Sequence, residues 1–292
     1  MANLKGVITA MLTPFDAKGN VMLNAIPDFV RYQTENGVNG LFVCGSTGLF
    51  PLMRVEERKM MAEEVVKYAK GKMQVIVQVG APDTATSIEL AKHAEKVGVD
   101  GVASVPPYYY HHNDEALKLH YKKIADSVSI PLYVYNIPRF VGVNVGLGLL
   151  KQLADAKIVS GMKDSSRDFL QLVEIIENMP DDFAVVNGTE GYILPALLAG
   201  ASGMVAALGN AFPDLLVHLY NTYSKDLKGA KRLQNMINRA KTITDKFPIS
   251  SLYEVARERK VDYGYPRPPF TVISKTERER MIKELKAIKL IQ

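Results

Sequence analysis

A strand-then-helix unit recurs eight times in this chain, at intervals of roughly 25 to 35 residues, and that repeat constrains the fold more than any single motif. Short apolar, β-favouring runs lie near 6–12, 40–44, 74–79, 101–105, 132–135, 158–162, 184–187 and 203–207, each closed by Gly, Pro or Asn. Stretches with helical spacing follow near 24–36, 55–69, 82–97, 114–127, 145–153, 169–178, 192–198 and 215–223. Continuously apolar runs such as Val75-Ile76-Val77 suit parallel strands covered on both faces. Eight such units in series predict an α/β fold, a (β/α)8 TIM barrel, because doubly wound sheets usually have fewer. The pattern then changes to helices alone, near 229–245, 249–259 and, after a proline-rich break at 265–270, 275–290. We therefore expect a barrel over 1–225 and a helical extension over 226–292, packed on the barrel because no Gly/Ser-rich linker separates them.

Composition narrows the functional classes. With 292 residues and 47% hydrophobic side chains, the chain can bury one large core. A single cysteine, Cys44, excludes a disulfide framework and a cysteine metal cluster, and suits a reducing compartment. The formal charge of +5 is spread over helical stretches, where Arg54, Arg58, Lys59 and Lys67 alternate with Glu56, Glu57, Glu63 and Glu64. That is a solvated helix face rather than a nucleic-acid stripe. No basic-then-apolar leader and no run of about eighteen apolar residues occurs, so a soluble, cytoplasmic protein without membrane partners is expected.

A barrel of this type places its chemistry at the carboxyl ends of its strands. The sixth strand ends in Met162-Lys163-Asp164. A lysine brought into the barrel would lose solvation, which disfavours the ammonium and frees the amine to attack a ketone; a surface lysine paired with Asp164 fits the spacing equally well. Tyr135 closes the neighbouring strand as either a proton shuttle or an aromatic filling the top of the core. After the second strand, Gly45-Ser46-Thr47-Gly48 offers two hydroxyls and several N–H groups suited to a carboxylate, or is an ordinary turn. It lacks the Gly-Lys-Ser/Thr ending of a phosphate loop. No Gly-x-Gly-x-x-Gly follows a strand, and the five histidines form no His-Glu-x-x-His pattern, so neither a dinucleotide nor a metal is expected.

Taken in order, these strand ends resemble the dihydrodipicolinate synthase and N-acetylneuraminate lyase superfamily of pyruvate-dependent class I aldolases. The resemblance runs from Gly6-Val7-Ile8-Thr9-Ala10-Met11-Leu12-Thr13-Pro14-Phe15 to Gly264-Tyr265-Pro266-Arg267-Pro268-Pro269. It implies Lys163 as the imine-forming lysine, Tyr135 as general acid/base, Ser46 and Thr47 as holders of the pyruvate carboxylate, and Thr47 also as proton relay. It further implies Tyr109 extending into a neighbouring subunit's site, the Val205 carbonyl near the imine, and Gly188 in the substrate loop. No cofactor is implied, and a homotetramer built as a dimer of dimers is.

Two departures bear on the substrate. Synthases of the superfamily typically carry an arginine two residues beyond the proline of Tyr-Asn-x-Pro, where this chain has Phe140, with Arg139 one place earlier. N-acetylneuraminate lyases usually follow the strand-seven glycine with two acidic residues, whereas here Glu190 precedes Gly191. Gly48-Leu49 and the Gly-Tyr-Pro-Arg-Pro-Pro stretch are most similar to archaeal 2-keto-3-deoxygluconate aldolases. Cleavage of that acid to pyruvate and glyceraldehyde is the expected reaction, with the synthase, the lyase and a non-catalytic pyruvate-binding relative as alternatives. Thr189 and backbone groups would hydrogen-bond the polyol. Tyr110 and His111, in place of a phosphate-binding arginine, predict a preference for the unphosphorylated acid unless Arg139 or a carboxy-terminal lysine supplies the charge.

Overall fold

The structure, a computed structural model, describes residues 4–291; residues 1–3 and 292, at the ends of the two expected segments, lie outside the described residues. Eight strands, β1 (Gly6–Ala10), β2 (Gly40–Val43), β3 (Gln74–Gln78), β4 (Gly101–Ser104), β5 (Leu132–Asn136), β6 (Gly161–Asp164), β7 (Ala184–Asn187) and β8 (Gly203–Ala206), pair in parallel in chain order and close on themselves. Nearly every strand residue is buried, as a sheet filled within and covered by helices requires. The helices are α1 (Ile26–Glu35), α2 (Val55–Ala69), α3 (Thr84–Val97), α4 (Asp114–Ala125), α5 (Pro138–Val141), α6 (Leu147–Asp155), α7 (Phe169–Asn178), α8 (Ile193–Leu198), α9 (Pro213–Thr222), α10 (Leu227–Thr244), α11 (Ser250–Glu258) and α12 (Lys275–Ala287). The expected (β/α)8 barrel is the fold observed, with element ends shifted by a few residues and with α5 a short helix that the spacing does not reveal.

Among the strands the largest shift is at the lysine strand, which begins at Gly161 and not at 158. Helix α6 ends in a left-handed residue, Lys157 at φ +55°, whose N–H bonds to the Ala154 carbonyl while the Ile158 N–H reaches back to Leu153 at 2.9 Å. Ile158 and Val159 are thus buried in the closure of the helix rather than paired in the sheet. Pairing with β5 then sets the register, with Tyr133 opposite Gly161 and Tyr135 opposite Lys163. Gly161 is required there, because a β-carbon would collide with the Ala184 carbonyl and crowd the Tyr133 ring.

The carboxy-terminal helices cover the barrel. Asp226 caps α10 by accepting the Gly229 N–H at 2.9 Å, and α10 packs on α8 and α9. The Tyr253 hydroxyl of α11, fully buried, donates to the Thr13 carbonyl beyond β1 at 2.8 Å. Arg267 ties the proline-rich segment to the loops after β1 and β2 through the carbonyls of Gly19 (2.9 Å) and Leu52 (2.6 Å) and the Glu57 carboxylate (2.8 Å). That guanidinium and carboxylate are each 15% exposed, so removing either would strand a partly buried charge. Among the described residues no helix is long and apolar enough to cross a membrane.

Candidate active site at the carboxyl ends of the strands

Because Tyr135 and Lys163 are register partners on adjacent parallel strands, their side chains point the same way, into the barrel. Lys163 is 3% exposed. Its amine lies 3.7 Å from the centre of the Tyr135 ring and 4.0 Å from that of Phe42, and among the described residues it has no carboxylate within ion-pair distance. Asp164, the surface partner that the spacing allowed, projects to the opposite face. Its buried carboxylate accepts from Asn136 Nδ2 (2.8 Å) and Ser166 Oγ (2.7 Å), and Asn136 in turn accepts the Val145 N–H. The surface ion pair is therefore not formed, because alternation along β6 separates the two side chains.

Burial without a counter-ion draws the Lys163 ammonium well below the ordinary lysine range; the more distant Glu190 opposes this and Arg139 adds to it. An unperturbed lysine, at pKa about 10.4, is neutral in roughly one molecule in a few thousand at pH 7, and each unit of lowering multiplies that fraction tenfold. Desolvation of this kind makes an amine a nucleophile at neutral pH.

The Tyr135 hydroxyl donates to Ser46 Oγ at 3.1 Å. Burial raises the phenol's pKa, and the Ser46 hydroxyl partly offsets that, so the resting group is the protonated phenol. Ser46 and Thr47 lie in the turn after β2, whose chain reverses through left-handed residues on both sides, Cys44 (φ +54°) and Leu49 (φ +60°). Thr13 Oγ1 pins the turn by donating to the Gly48 carbonyl at 2.6 Å. Among the described residues the N–H groups of Thr47 and Gly48 donate to no acceptor, while that of Ser46 is directed to the Tyr135 hydroxyl, which leaves two free donors beside two hydroxyls.

On the far wall, Gly188 follows β7 where a β-carbon would run into Ser165 Oγ. Asn187 holds the loop, accepting the Thr189 N–H and donating to the Thr189 carbonyl, both at 2.9 Å. Lys163, Tyr135, Ser46, Thr47, Gly188, Thr189 and Val205 all line one cavity of about 540 Å³, to which Pro248, Ile249, Leu252 and Phe270 of the carboxy-terminal segment also contribute. Tyr109 is not brought into it: it is 87% exposed, holds a left-handed backbone at φ +85°, and meets Tyr110 edge to face at 5.0 Å.

The cavity also contains groups that motif reading does not assemble. Glu190, 6% exposed, accepts the Leu208 N–H at 2.7 Å and the Lys241 ammonium at 2.9 Å, and Lys241 also bonds Asp245 at 3.0 Å. Arg139 and Arg167 reach the rim beside α5 and β6. Arg167 lies four residues beyond Lys163, just past the polar end of that strand, whereas Lys241 and Asp245, some eighty residues further on, carry no such signal. Among the described residues no group of three or more His, Cys, Asp or Glu side chains could hold a metal.

Comparison with known proteins extends this geometry. The 4-hydroxy-tetrahydrodipicolinate synthase of Chlorobium chlorochromatii is 31% identical over 99% of this chain and 98% of its own length. Among solved structures, CdNal from Clostridium difficile, in complex with mannosamine, superposes with a TM-score of 0.94 at 26% identity over 98% of this chain and 100% of its own. YagE, a prophage protein of the dihydrodipicolinic acid synthase family from E. coli K12 solved with pyruvate, matches equally well, with a TM-score of 0.94 at 26% identity over 99% of this chain and 100% of its own. The model of the dihydrodipicolinate synthetase family matches residues 3–288, so the chain belongs to that family and is a pyruvate-dependent carbon–carbon lyase of the class I type.

Proposed function

We propose that Lys163 forms the imine and that the substrate is 2-keto-3-deoxygluconate, cleaved reversibly to pyruvate and glyceraldehyde. The observation that carries the catalytic part is the buried, unpaired Lys163 amine packed on Tyr135, whose hydroxyl points to Ser46 in the donor-rich turn. A 2-keto acid seated with its carboxylate on Ser46, Thr47 and the free N–H groups of that turn presents its keto carbon to Lys163. Attack by the neutral amine forms a carbinolamine, whose hydroxyl leaves as water with the Tyr135 proton, giving a protonated imine and a Tyr135 phenolate. That cation takes up the electron pair of the breaking C3–C4 bond, leaving an enamine of pyruvate. The C4 hydroxyl becomes the aldehyde as its proton passes to Tyr135, with Thr47 as relay. The Val205 carbonyl lies beside the imine, Gly188 leaves room for the chain, and Thr189 hydrogen-bonds its hydroxyls. The chemistry needs no cofactor.

Gly48-Leu49, the Gly-Tyr-Pro-Arg-Pro-Pro stretch and Phe140 support the sugar-acid substrate. The second reading, condensation of pyruvate with aspartate semialdehyde, is favoured by the name of the Chlorobium relative and by Arg139 at the cavity rim. Steady-state kinetics with a chelator present decide between them. The expected result is retro-aldol cleavage of 2-keto-3-deoxygluconate, with a higher kcat/KM for condensation onto glyceraldehyde than onto aspartate semialdehyde; the reverse order removes the assignment.

A homotetramer built as a dimer of dimers would give the exposed Tyr109 a role, completing the proton relay of a neighbouring copy. Mixing Tyr109→Phe and Lys163→Ala subunits is then expected to restore activity above either variant alone, to about a quarter of wild type for random pairing of a two-site dimer. Recovery no greater than the single variants would show each site to be self-contained.

A further inference from the structure

Burial without a counter-ion disfavours the Lys163 ammonium, and the same surroundings disfavour the protonated imine, which is also a cation. The nitrogen nevertheless has two close neighbours. The rings of Phe42 and Tyr135 meet nearly at a right angle, 79° between their planes and 5.2 Å between centroids. The amine sits in that corner, 4.0 Å from the Phe42 centroid and 3.7 Å from that of Tyr135. An aromatic face carries the negative part of the ring quadrupole and attracts a cation within about 6 Å.

The strand and the turn after it place the Phe42 ring. Phe42 is fully buried on β2, in register with Ala10 of β1 and Ile76 of β3. Gly45 leaves room for it, since a β-carbon there would stand 2.9 Å from the ring. In the proposed pose both anions of the imine stage are held at the turn: the substrate carboxylate on its donors, and the Tyr135 oxygen directed to Ser46. Phe42 is left as a neighbour of the nitrogen that no step has used. A carboxylate in its place would hold the lysine as an ammonium, as Glu190 and Asp245 hold Lys241. A ring face supports a cation without taking up a proton, so the resting amine stays free to attack.

We propose that Phe42 is a catalytic residue whose ring face stabilises the protonated imine formed on Lys163. The proposal rests on the reading of Lys163 as the imine former. Attack of the amine and departure of water turn a neutral nitrogen into a cation against the ring. Breaking the C3–C4 bond sends its electron pair into that cation and leaves a neutral enamine. Phe42 therefore acts on imine formation and not on bond cleavage.

The test replaces Phe42 in the intact protein by mono-, di- and trifluorophenylalanine, which keep the shape of the ring and progressively weaken its negative face. Borohydride trapping of labelled pyruvate, titrated on the high-pH plateau where Lys163 is neutral in every variant, reads the imine. Glu190 and Arg139, the charged groups that act on Lys163, are the same throughout the series. The expected result is an apparent pyruvate affinity that falls with each fluorine, to about 10-fold in all, the scale of one desolvated cation–ring contact. Calorimetric titration with oxamate, which has the shape of pyruvate and forms no imine, should be unchanged. In cleavage, kcat/KM should fall with fluorine count while kcat changes less. Phe42→Leu, which fills the space without a ring face, should show the same split and carries the test if a fluorinated chain fails to fold. Trapping affinity independent of fluorine count, or an equal loss of oxamate binding, overturns the role and leaves Phe42 as core packing. The two readings fail separately: label on the Lys163 peptide with a flat series removes the role of Phe42 alone, whereas wild-type label on another peptide removes both.

Discussion

Borohydride added to the protein with labelled pyruvate is expected to fix the label on the peptide that contains Lys163, and Lys163→Ala is expected to abolish both labelling and turnover. The loss in kcat should be on the order of 10⁴-fold or more, the scale seen when a covalent nucleophile is removed. Lys241 also lines the cavity, but it is held as an ammonium by Glu190 and Asp245, and its pKa is raised. The pH dependence separates the two. A group whose folded pKa is depressed becomes neutral as pH rises through that lowered value, so the trapping rate should climb with pH and level off well below 10.4, the ordinary lysine value. A rate still rising near that ordinary value, or label on another lysine, would sink the assignment. The same depression links to stability: between the lowered pKa and the ordinary one the unfolded chain binds the extra proton, so this group's contribution to stability grows with pH across that window.

The second large effect is expected at Tyr135. Replacement by phenylalanine keeps the ring against Phe42, 5.2 Å between centroids, and against the Lys163 amine, so the packing survives and only the hydroxyl is lost. Without it, proton movement at the carbinolamine and at the C4 hydroxyl loses its relay, and kcat should fall by about 10²- to 10⁴-fold, the usual range for one general acid/base. Pyruvate should still be trapped by borohydride on Lys163, more slowly. Stopped-flow and steady-state rates check this: a kcat within a few-fold of wild type would return Tyr135 to the role of core aromatic. Ser46→Ala, which removes the hydroxyl that accepts from Tyr135, would be expected to weaken pyruvate binding more than Tyr135→Phe does.

The strand-then-helix period and the polar residues closing each strand were legible in the chain alone, because a barrel repeats one local pattern and places its chemistry at one end of it. Ser46, Thr47, Tyr135, Lys163, Gly188 and Thr189 stand at such strand ends, Val205 is implied by the family resemblance alone, and all of them line one cavity. The position of the lysine within its strand could not, since apolar residues 158 and 159 serve equally to close a helix or to begin a strand, and only pairing with β5 separates the two. That pairing puts Lys163 inside the barrel and turns Asp164 away from it, which decides between a surface ion pair and a desolvated amine. Glu190, Lys241 and Asp245 belong to segments about fifty residues apart, and Arg139 and Arg167 to consecutive strand ends; their grouping into one neutralised wall and one cationic wall arises from barrel closure and the docking of α10. Tyr109 marks the opposite limit, because the folded chain leaves it exposed and outside the cavity that its motif implied. Local patterning determines which residues can do chemistry, whereas desolvation and charge pairing depend on what surrounds each group in three dimensions, and those decide which of them will.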